Sequence, residues 1–152
     1  MGVSGCGKST IGAPLAARLG VPFLDADEFH PPANVAKMAA GTPLTDADRR
    51  PWLERLNANL RALPDAVLAC SALKESYRRI LSSDVRDCRF VHLQGNLDLI
   101  RSRLADRRHR YMPASLLESQ FATLEPPQGA IEVDIRQGVE DCVAEIQARL
   151  RA

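Results

Sequence analysis

The amino end of the chain carries a glycine-rich motif with the residue types needed to bind phosphate groups. Residues 2–9 satisfy G-x-x-x-x-G-K-[ST], in which glycines let successive main-chain N–H groups turn toward phosphate oxygens. A helical pattern begins directly afterwards, and its amino end adds partial positive charge. Lys8 supplies a full charge to the β- and γ-phosphates, and the Ser9 hydroxyl is a ligand for Mg²⁺. The motif predicts a site for ATP and Mg²⁺ formed by Gly2, Ser4, Gly5, Cys6, Gly7, Lys8, Ser9 and Thr10.

An acidic pair, Asp25 and Asp27, follows the short predicted strand 21–24. Ligands gather at the carboxyl ends of strands in open α/β sheets, so this position suits phosphoryl transfer. One carboxylate can hold Mg²⁺ directly or through water, while the other orients or deprotonates an attacking hydroxyl. The alternative is a solvated turn, where Asp is common. We favour the catalytic interpretation because the phosphate-binding motif is present and no obvious further metal-binding aspartate follows the apolar run 66–70.

Cationic side chains stand beside the boundaries of predicted elements and indicate a pocket for an anionic acceptor. They are Arg49, Lys74 and Arg78, of which Lys74 comes just past the end of a predicted strand. Surface arginines without a ligand are the alternative for this set. His30 either donates a hydrogen bond to a substrate hydroxyl or caps a local turn.

A second group of arginines crowds one helix end and the turn that precedes Pro113. In a phosphoryl-transfer enzyme this cluster predicts a lid at about 104–113, with Arg103 and Arg107 contacting the nucleotide. The alternative is a solvated helix face, because positive charge stabilises the carboxyl end of a helix.

Strand and helix patterns alternate along the chain and predict one α/β domain, a parallel sheet covered on both faces by helices. Strands are predicted at 21–24, 66–70, 90–93 and 130–134. Helices are predicted at 8–19, 32–41, from a capping box at Thr45 and Asp48 to Pro64, from about 74, from about 97, and at 114–124 and 139–150.

The strand that should deliver the chain into the phosphate-binding motif is not present, since only Met1 precedes Gly2. That strand is central in such sheets, and its loss leaves neighbouring strands with unpaired main-chain groups. We therefore expect the native protein to carry roughly ten more residues before Met1.

Composition excludes several other classes of protein. The net charge is +1, with 45% hydrophobic and 26% charged residues, which is typical of globular proteins and gives no argument for nucleic acid or membrane binding. Four widely spaced cysteines and the lack of a signal peptide favour the cytoplasm.

Taken together, the motifs resemble the gluconate kinase family over nearly the whole chain. The resemblance lies in residues 1–5 and 7–10, 25–31, 37–38 and 41–44, 46–49 and 51–53, 70–74 and 77–78, 117 and 119–121, and 124–126. It implies a three-layer fold like that of nucleoside-monophosphate kinases, often dimeric, and transfer of a phosphoryl group from ATP to the 6-hydroxyl of D-gluconate. By similarity, Lys8 and Ser9 serve the phosphates and Mg²⁺, Asp25 the metal, and Asp27 the acceptor hydroxyl, and gluconate contacts His30, Arg49, Lys74 and Arg78.

The chain departs from the family pattern in the predicted lid. The family usually has Gly-His-Phe-Met where this chain has His109, Arg110, Tyr111 and Met112, and either His109 or Arg110 can replace the family histidine. The alternatives are a shikimate kinase-like or other small-molecule P-loop kinase, a nucleotide-binding module without turnover, and a fragment disabled by the missing strand.

Overall fold

The computed structural model describes residues 1–106 and 114–152. The strands are β1 (Phe23–Asp25), β2 (Val67–Ala69), β3 (Val91–Gln94) and β4 (Ile131–Asp134). The helices are α1 (Lys8–Leu19), α2 (Pro32–Ala39), α3 (Asp46–Ala62), α4 (Glu75–Ser82), α5 (Leu97–Ala105), α6 (Ala114–Thr123) and α7 (Val139–Arg151). A short 3-10 turn, Ala26–Phe29, follows β1.

The strands form two parallel pairs, β1 with β2 and β3 with β4. Met1 and Gly2 lie between the pairs, because Gly2 N–H donates to Ser71 O at 3.2 Å and Leu93 N–H donates to Met1 O at 3.0 Å. The predicted strands are therefore confirmed as parallel, with bounds shifted by one or two residues. The expectation that further residues precede Met1 stays a prediction.

Two buried clusters hold the helices against the strands. One is centred on β3, β4, α1 and α7, where residues such as Leu93, Val133 and Ile146 are almost fully buried. The other packs Trp52, Leu53 and Leu56 of α3 against α4 and the 3-10 turn, and removal of one such leucine side chain costs about 2–5 kcal/mol. No helix of the described segments is long and apolar enough to cross a bilayer.

Local sequence signals explain where several helices begin and end. The predicted capping box is present, since Thr45 Oγ1 accepts from Asp48 N–H and the Asp48 carboxylate accepts from Thr45 N–H. Gly20 ends α1 in the left-handed conformation that glycine favours. The α1 helix continues through Pro14, although proline removes one helical hydrogen bond.

Candidate active site

The phosphate loop, defined as residues 2–9, turns through left-handed glycines into the amino end of α1. Gly5 and Gly7 have φ values of 80° and 95°, a conformation that side chains with a Cβ adopt only with strain. A Cβ on Gly5 would also lie 2.8 Å from Leu104 of α5. The Lys8 ammonium donates to Val3 O at 2.9 Å, so this side chain folds back along the loop. The predicted loop residues thus run from Gly2 into the first turn of α1, and Cys6 among them is fully buried.

A side chain that sequence reasoning left without a role contacts the phosphate loop. Gln120 of α6 accepts a hydrogen bond from the main-chain N–H of Ser4 at 2.7 Å. Gln120 belongs to one of the family-like motifs, but its spacing from the loop, 116 residues, gave no signal of contact. The helix that follows the predicted lid therefore contacts the loop expected to hold the nucleotide phosphates.

Asp25, the first residue of the acidic pair, links the phosphate loop to Asp27. Its Oδ2 accepts from Ser9 Oγ at 2.8 Å, and its Oδ1 accepts from Asp27 N–H at 3.0 Å. Mg²⁺ takes oxygen ligands and in kinases uses few protein groups together with the substrate phosphates. The adjacent Ser9 hydroxyl and Asp25 carboxylate fit that donor set. The pair is adjacent because β1 ends at Asp25, beside the amino end of α1.

Asp27 lies exposed on the 3-10 turn, next to a stacked pair of rings. The His30 and Trp52 rings are 4.1 Å apart at 16°, and Trp52 Nε1–H donates to Ala26 O at 2.7 Å. Burial lowers the pKa of His30, the Asp27 carboxylate opposes that shift, and the Arg49 cation adds to it. His30 is consequently neutral near pH 7.

The acceptor cluster, defined as Asp46, Arg49, Lys74 and Tyr77, joins α3 to the start of α4. Lys74 Nζ lies 3.1 and 3.2 Å from the two carboxylate oxygens of Asp46, and Tyr77 Oη donates to Asp46 Oδ1. Arg49 donates to Tyr77 Oη at 3.3 Å. Two of the predicted cations, Arg49 and Lys74, therefore belong to one cluster. They are held there by Asp46 and Tyr77, to which the sequence analysis gave no role.

Hydrogen bonds and charge pairing within the acceptor cluster shift the pKa values of Asp46, Lys74 and Tyr77. The hydrogen bond from Tyr77 and then the one from Lys74 lower the pKa of Asp46, and the Asp46 carboxylate raises the pKa of Lys74. Burial, followed by the hydrogen bond to Asp46, raises the pKa of Tyr77. The cluster at neutral pH therefore contains two cations, one carboxylate and a protonated phenol, leaving one net positive charge.

Arg78 occupies a different environment from the one expected of a substrate contact. Its side chain is only 4% exposed. Its NH1 donates to Ala72 O and Leu73 O at 2.8 and 3.1 Å, and its NH2 donates to Glu125 O at 2.9 Å. The structure thus pairs Arg78 with main-chain carbonyls and with the Glu75 carboxylate at 3.1 Å, so that Arg78 supports the loop that carries Lys74. A contact between Arg78 and the substrate stays a prediction.

The predicted lid is described only at its start. Arg103 lies on α5 and donates through NH2 to Ile135 O at 2.5 Å, which places it beside the loop after β4. Arg107, His109 and Arg110 lie outside the described residues. Their roles, like that of the lid as a whole, stay predictions.

Trp52 makes the ionisation of His30 measurable. Trp52 is the single tryptophan of the chain, and a protonated imidazole quenches indole emission more strongly than a neutral one. We expect emission to be constant at neutral pH and to fall as pH decreases, with a midpoint below the ordinary histidine value of about 6.5. A fluorescence titration checks this, and the His30→Gln variant should lack the transition. A midpoint above 6.5 would contradict the burial argument.

The fold and the site together define a P-loop kinase. A family model described as shikimate kinase matches residues 4–123. Gluconokinase from Gluconobacter oxydans (strain 621H) is 52% identical over 131 residues, covering 84% of this chain and 74% of that protein. Thermoresistant gluconokinase from Escherichia coli (strain K12) is 43% identical over 153 residues, covering 95% and 87%. The crystal structure of a gluconokinase from Sinorhizobium meliloti 1021 is 42% identical and superposes with a TM-score of 0.93, covering 99% of this chain and 89% of that one. The chain belongs to the gluconokinase family.

Proposed function

We propose that the protein transfers the γ-phosphoryl group of ATP to the 6-hydroxyl of D-gluconate, giving 6-phosphogluconate and ADP. The observation that carries this proposal is the position of Asp25, which bonds Ser9 of the phosphate loop on one side and the main chain of Asp27 on the other. A nucleotide site and an acceptor site are thereby joined through one residue. The gluconokinase relatives support gluconate as the acceptor.

Within this proposal each side chain has a task. Asp27 orients the 6-hydroxyl and accepts its proton as the hydroxyl attacks the γ-phosphorus. Lys8 and the main-chain N–H groups at the amino end of α1 are proposed to offset the charge on the phosphate oxygens. Ser9 and Asp25 would hold Mg²⁺, which would supply positive charge to offset that of the ATP phosphates. Arg103 and Arg107 are proposed to contact the nucleotide.

The acceptor cluster supplies the charge that selects a sugar acid. Its one net positive charge matches the single carboxylate of gluconate, whereas a neutral sugar leaves that charge unpaired. Arg49 and Lys74 are the proposed carboxylate contacts, and His30 is proposed to contact a hydroxyl.

A coupled ADP-release assay tests the proposed reaction. Gluconate, shikimate and nucleoside monophosphates are offered in parallel with ATP, and turnover is expected with gluconate. Shikimate is included because the matching family model bears that description. Turnover with shikimate or a nucleotide, but not with gluconate, would overturn the proposal.

Removal of the Lys74 cation should weaken acceptor binding selectively. For Lys74→Met we expect the KM for gluconate to rise about 10- to 100-fold, the loss typical of a charged hydrogen bond, with the KM for ATP nearly unchanged. Arg50→Met is the matched control. Arg50 is 70% exposed, and within the described residues its ion pair is with Glu54. Steady-state kinetics with each substrate varied in turn measure the split. An equal rise in both KM values would contradict the assignment.

We also propose that Mg²⁺ is required, that the protein works in the cytoplasm, and that it forms a homodimer. The adjacent oxygen donors Ser9 and Asp25 support the metal. The cysteines are all free, which suits a reducing compartment. The dimer rests on the family resemblance alone, and light scattering during size-exclusion chromatography measures it directly.

A further inference from the structure

A buried amide on α2 contacts the imidazole ring of His30. Asn34 is 3% exposed. Its Nδ2 lies 3.0 Å from the main-chain oxygen of Asp48 and 3.4 Å from Nδ1 of His30. Asn34 therefore links α2, the amino end of α3 and the ring proposed to contact the acceptor.

The chemistry of these partners determines which nitrogen of His30 carries the proton. A carbonyl oxygen only accepts hydrogen bonds, so the Asn34 atom that faces Asp48 O must be the NH₂ nitrogen. The same nitrogen faces Nδ1 of His30, and an amide nitrogen only donates. Nδ1 must then accept, which leaves the single proton of the neutral imidazole on Nε2.

Contacts with Trp52 also fix the orientation of the His30 ring. His30 stacks on Trp52, whose Nε1–H is bonded to Ala26 O, the residue directly before Asp27. The charged groups that influence the ring are Asp27 and Arg49, and burial keeps the ring neutral at working pH. With Nδ1 engaged and Nε2 protonated, His30 has no lone pair for a proton from substrate.

We propose that Asn34 is a positioning residue that fixes His30 as the Nε2–H tautomer, and that His30 uses this N–H to donate to a hydroxyl oxygen of the acceptor. The second half rests on the proposed sugar-acid kinase function; the first half does not. His30 is thereby a donor that orients the acceptor, and Asp27 is left as the group that accepts the reacting proton.

Nitrogen NMR of the full chain, with ¹⁵N-labelled histidine, tests the tautomer. The chain has three histidines, and the His30→Gln variant assigns the relevant signals. Above the His30 pKa we expect a protonated Nε2 and an unprotonated Nδ1. In Asn34→Leu the Nδ1 signal should move toward the protonated form. An Nδ1–H ring in the wild type, or an unchanged tautomer in a folded Asn34→Leu variant, would overturn the proposal.

A second asparagine provides a matched control for the NMR experiment. Asn59 of α3 also donates a hydrogen bond from its side-chain amide to a main-chain carbonyl, Arg55 O at 2.8 Å. Within the described residues it makes no hydrogen bond to His30 or Trp52. Asn59→Leu should leave the His30 signals unchanged. If Asn34→Leu does not fold, the wild-type tautomer and the kinetic pair of variants below decide the question.

Two substitutions of His30 separate the two ring positions kinetically. Gln places an N–H near the position of Nε2, whereas Asn places one near Nδ1. We expect the KM for gluconate to rise by about 3-fold or less in His30→Gln and by about 10-fold in His30→Asn, with little change for ATP. Equal losses would overturn the donor role. A wild-type enzyme inactive with gluconate but showing the Nε2–H ring would overturn the proposed function and leave the tautomer assignment standing.

Discussion

Asp27→Asn should lower kcat by about 10²- to 10⁴-fold, the contribution usual for a positioned acid or base, and should leave ATP binding nearly intact. The amide keeps the size of the carboxylate but cannot accept the proton of the attacking hydroxyl. The main-chain N–H of Asp27, which bonds Asp25, is unaffected by the substitution, so the link to the metal side persists. The measurements are kcat by coupled assay and ATP affinity by calorimetry.

The neighbouring carboxylate gives the control for Asp27. Glu28 is exposed on the same 3-10 turn, and Glu28→Gln removes the same charge one residue further along. Its kcat should stay within about twofold of wild type, because exposed substitutions away from the reacting atoms have small effects. Turnover of Asp27→Asn within a few-fold of wild type would exclude Asp27 as the base.

The phosphate loop and the acidic pair were predictable because their chemistry depends on local spacing. The glycines, Lys8 and Ser9 stand within residues 2–9, and Asp25 is the last residue of a strand whose end must lie at the ligand edge of the sheet. The bounds of strands and helices followed from periodicity for the same reason. Local patterns suffice where the contacts are local or where strand order fixes them.

Contacts between segments that are far apart in the sequence could not be predicted from local patterns. Gln120 reaches Ser4, and Asp46 holds Lys74 and Tyr77, only because helices separated in sequence pack together. Arg78 was interpreted from its charge and its position near a strand end, which do not reveal whether a side chain points inward. Packing, not residue type, decides that an arginine at this position donates to carbonyl groups.

Arg78→Met should destabilise the folded protein by about 3 kcal/mol, the upper end of the range for hydrogen bonds to a charged group, because buried carbonyl groups lose a guanidinium donor. The substitution retains an unbranched apolar chain but leaves the carbonyls of Ala72 and Glu125 without the guanidinium donor, while the Leu73 carbonyl keeps the Glu125 N–H at 2.8 Å. It also removes the ion pair with Glu75. At this chain length, each kcal/mol lowers Tm by roughly 2–4 °C, so calorimetry should show a fall of about 10 °C.

Arg79→Met is the control for Arg78. Arg79 is adjacent in sequence, its side chain is 79% exposed, and it pairs with Glu75. Its loss should change stability by no more than about 0.5 kcal/mol. A Tm for Arg78→Met as high as that of Arg79→Met, accompanied by a raised KM for gluconate, would contradict the structural role and favour Arg78 as a substrate contact.

Backbone strain at Ala72 provides a second test of whether Arg78 supports the loop that carries Lys74. Ala72 has a φ of 46°, a left-handed conformation that costs a residue with a Cβ roughly 1–2 kcal/mol. Arg78 offsets part of that cost by bonding the Ala72 carbonyl. Ala72→Gly removes the strain, so it should recover about 1 kcal/mol in the Arg78→Met background. The same substitution in the wild type is the control, and its gain should be smaller there because Arg78 already holds the Ala72 carbonyl. An equal gain in both backgrounds would contradict the support of this loop by Arg78.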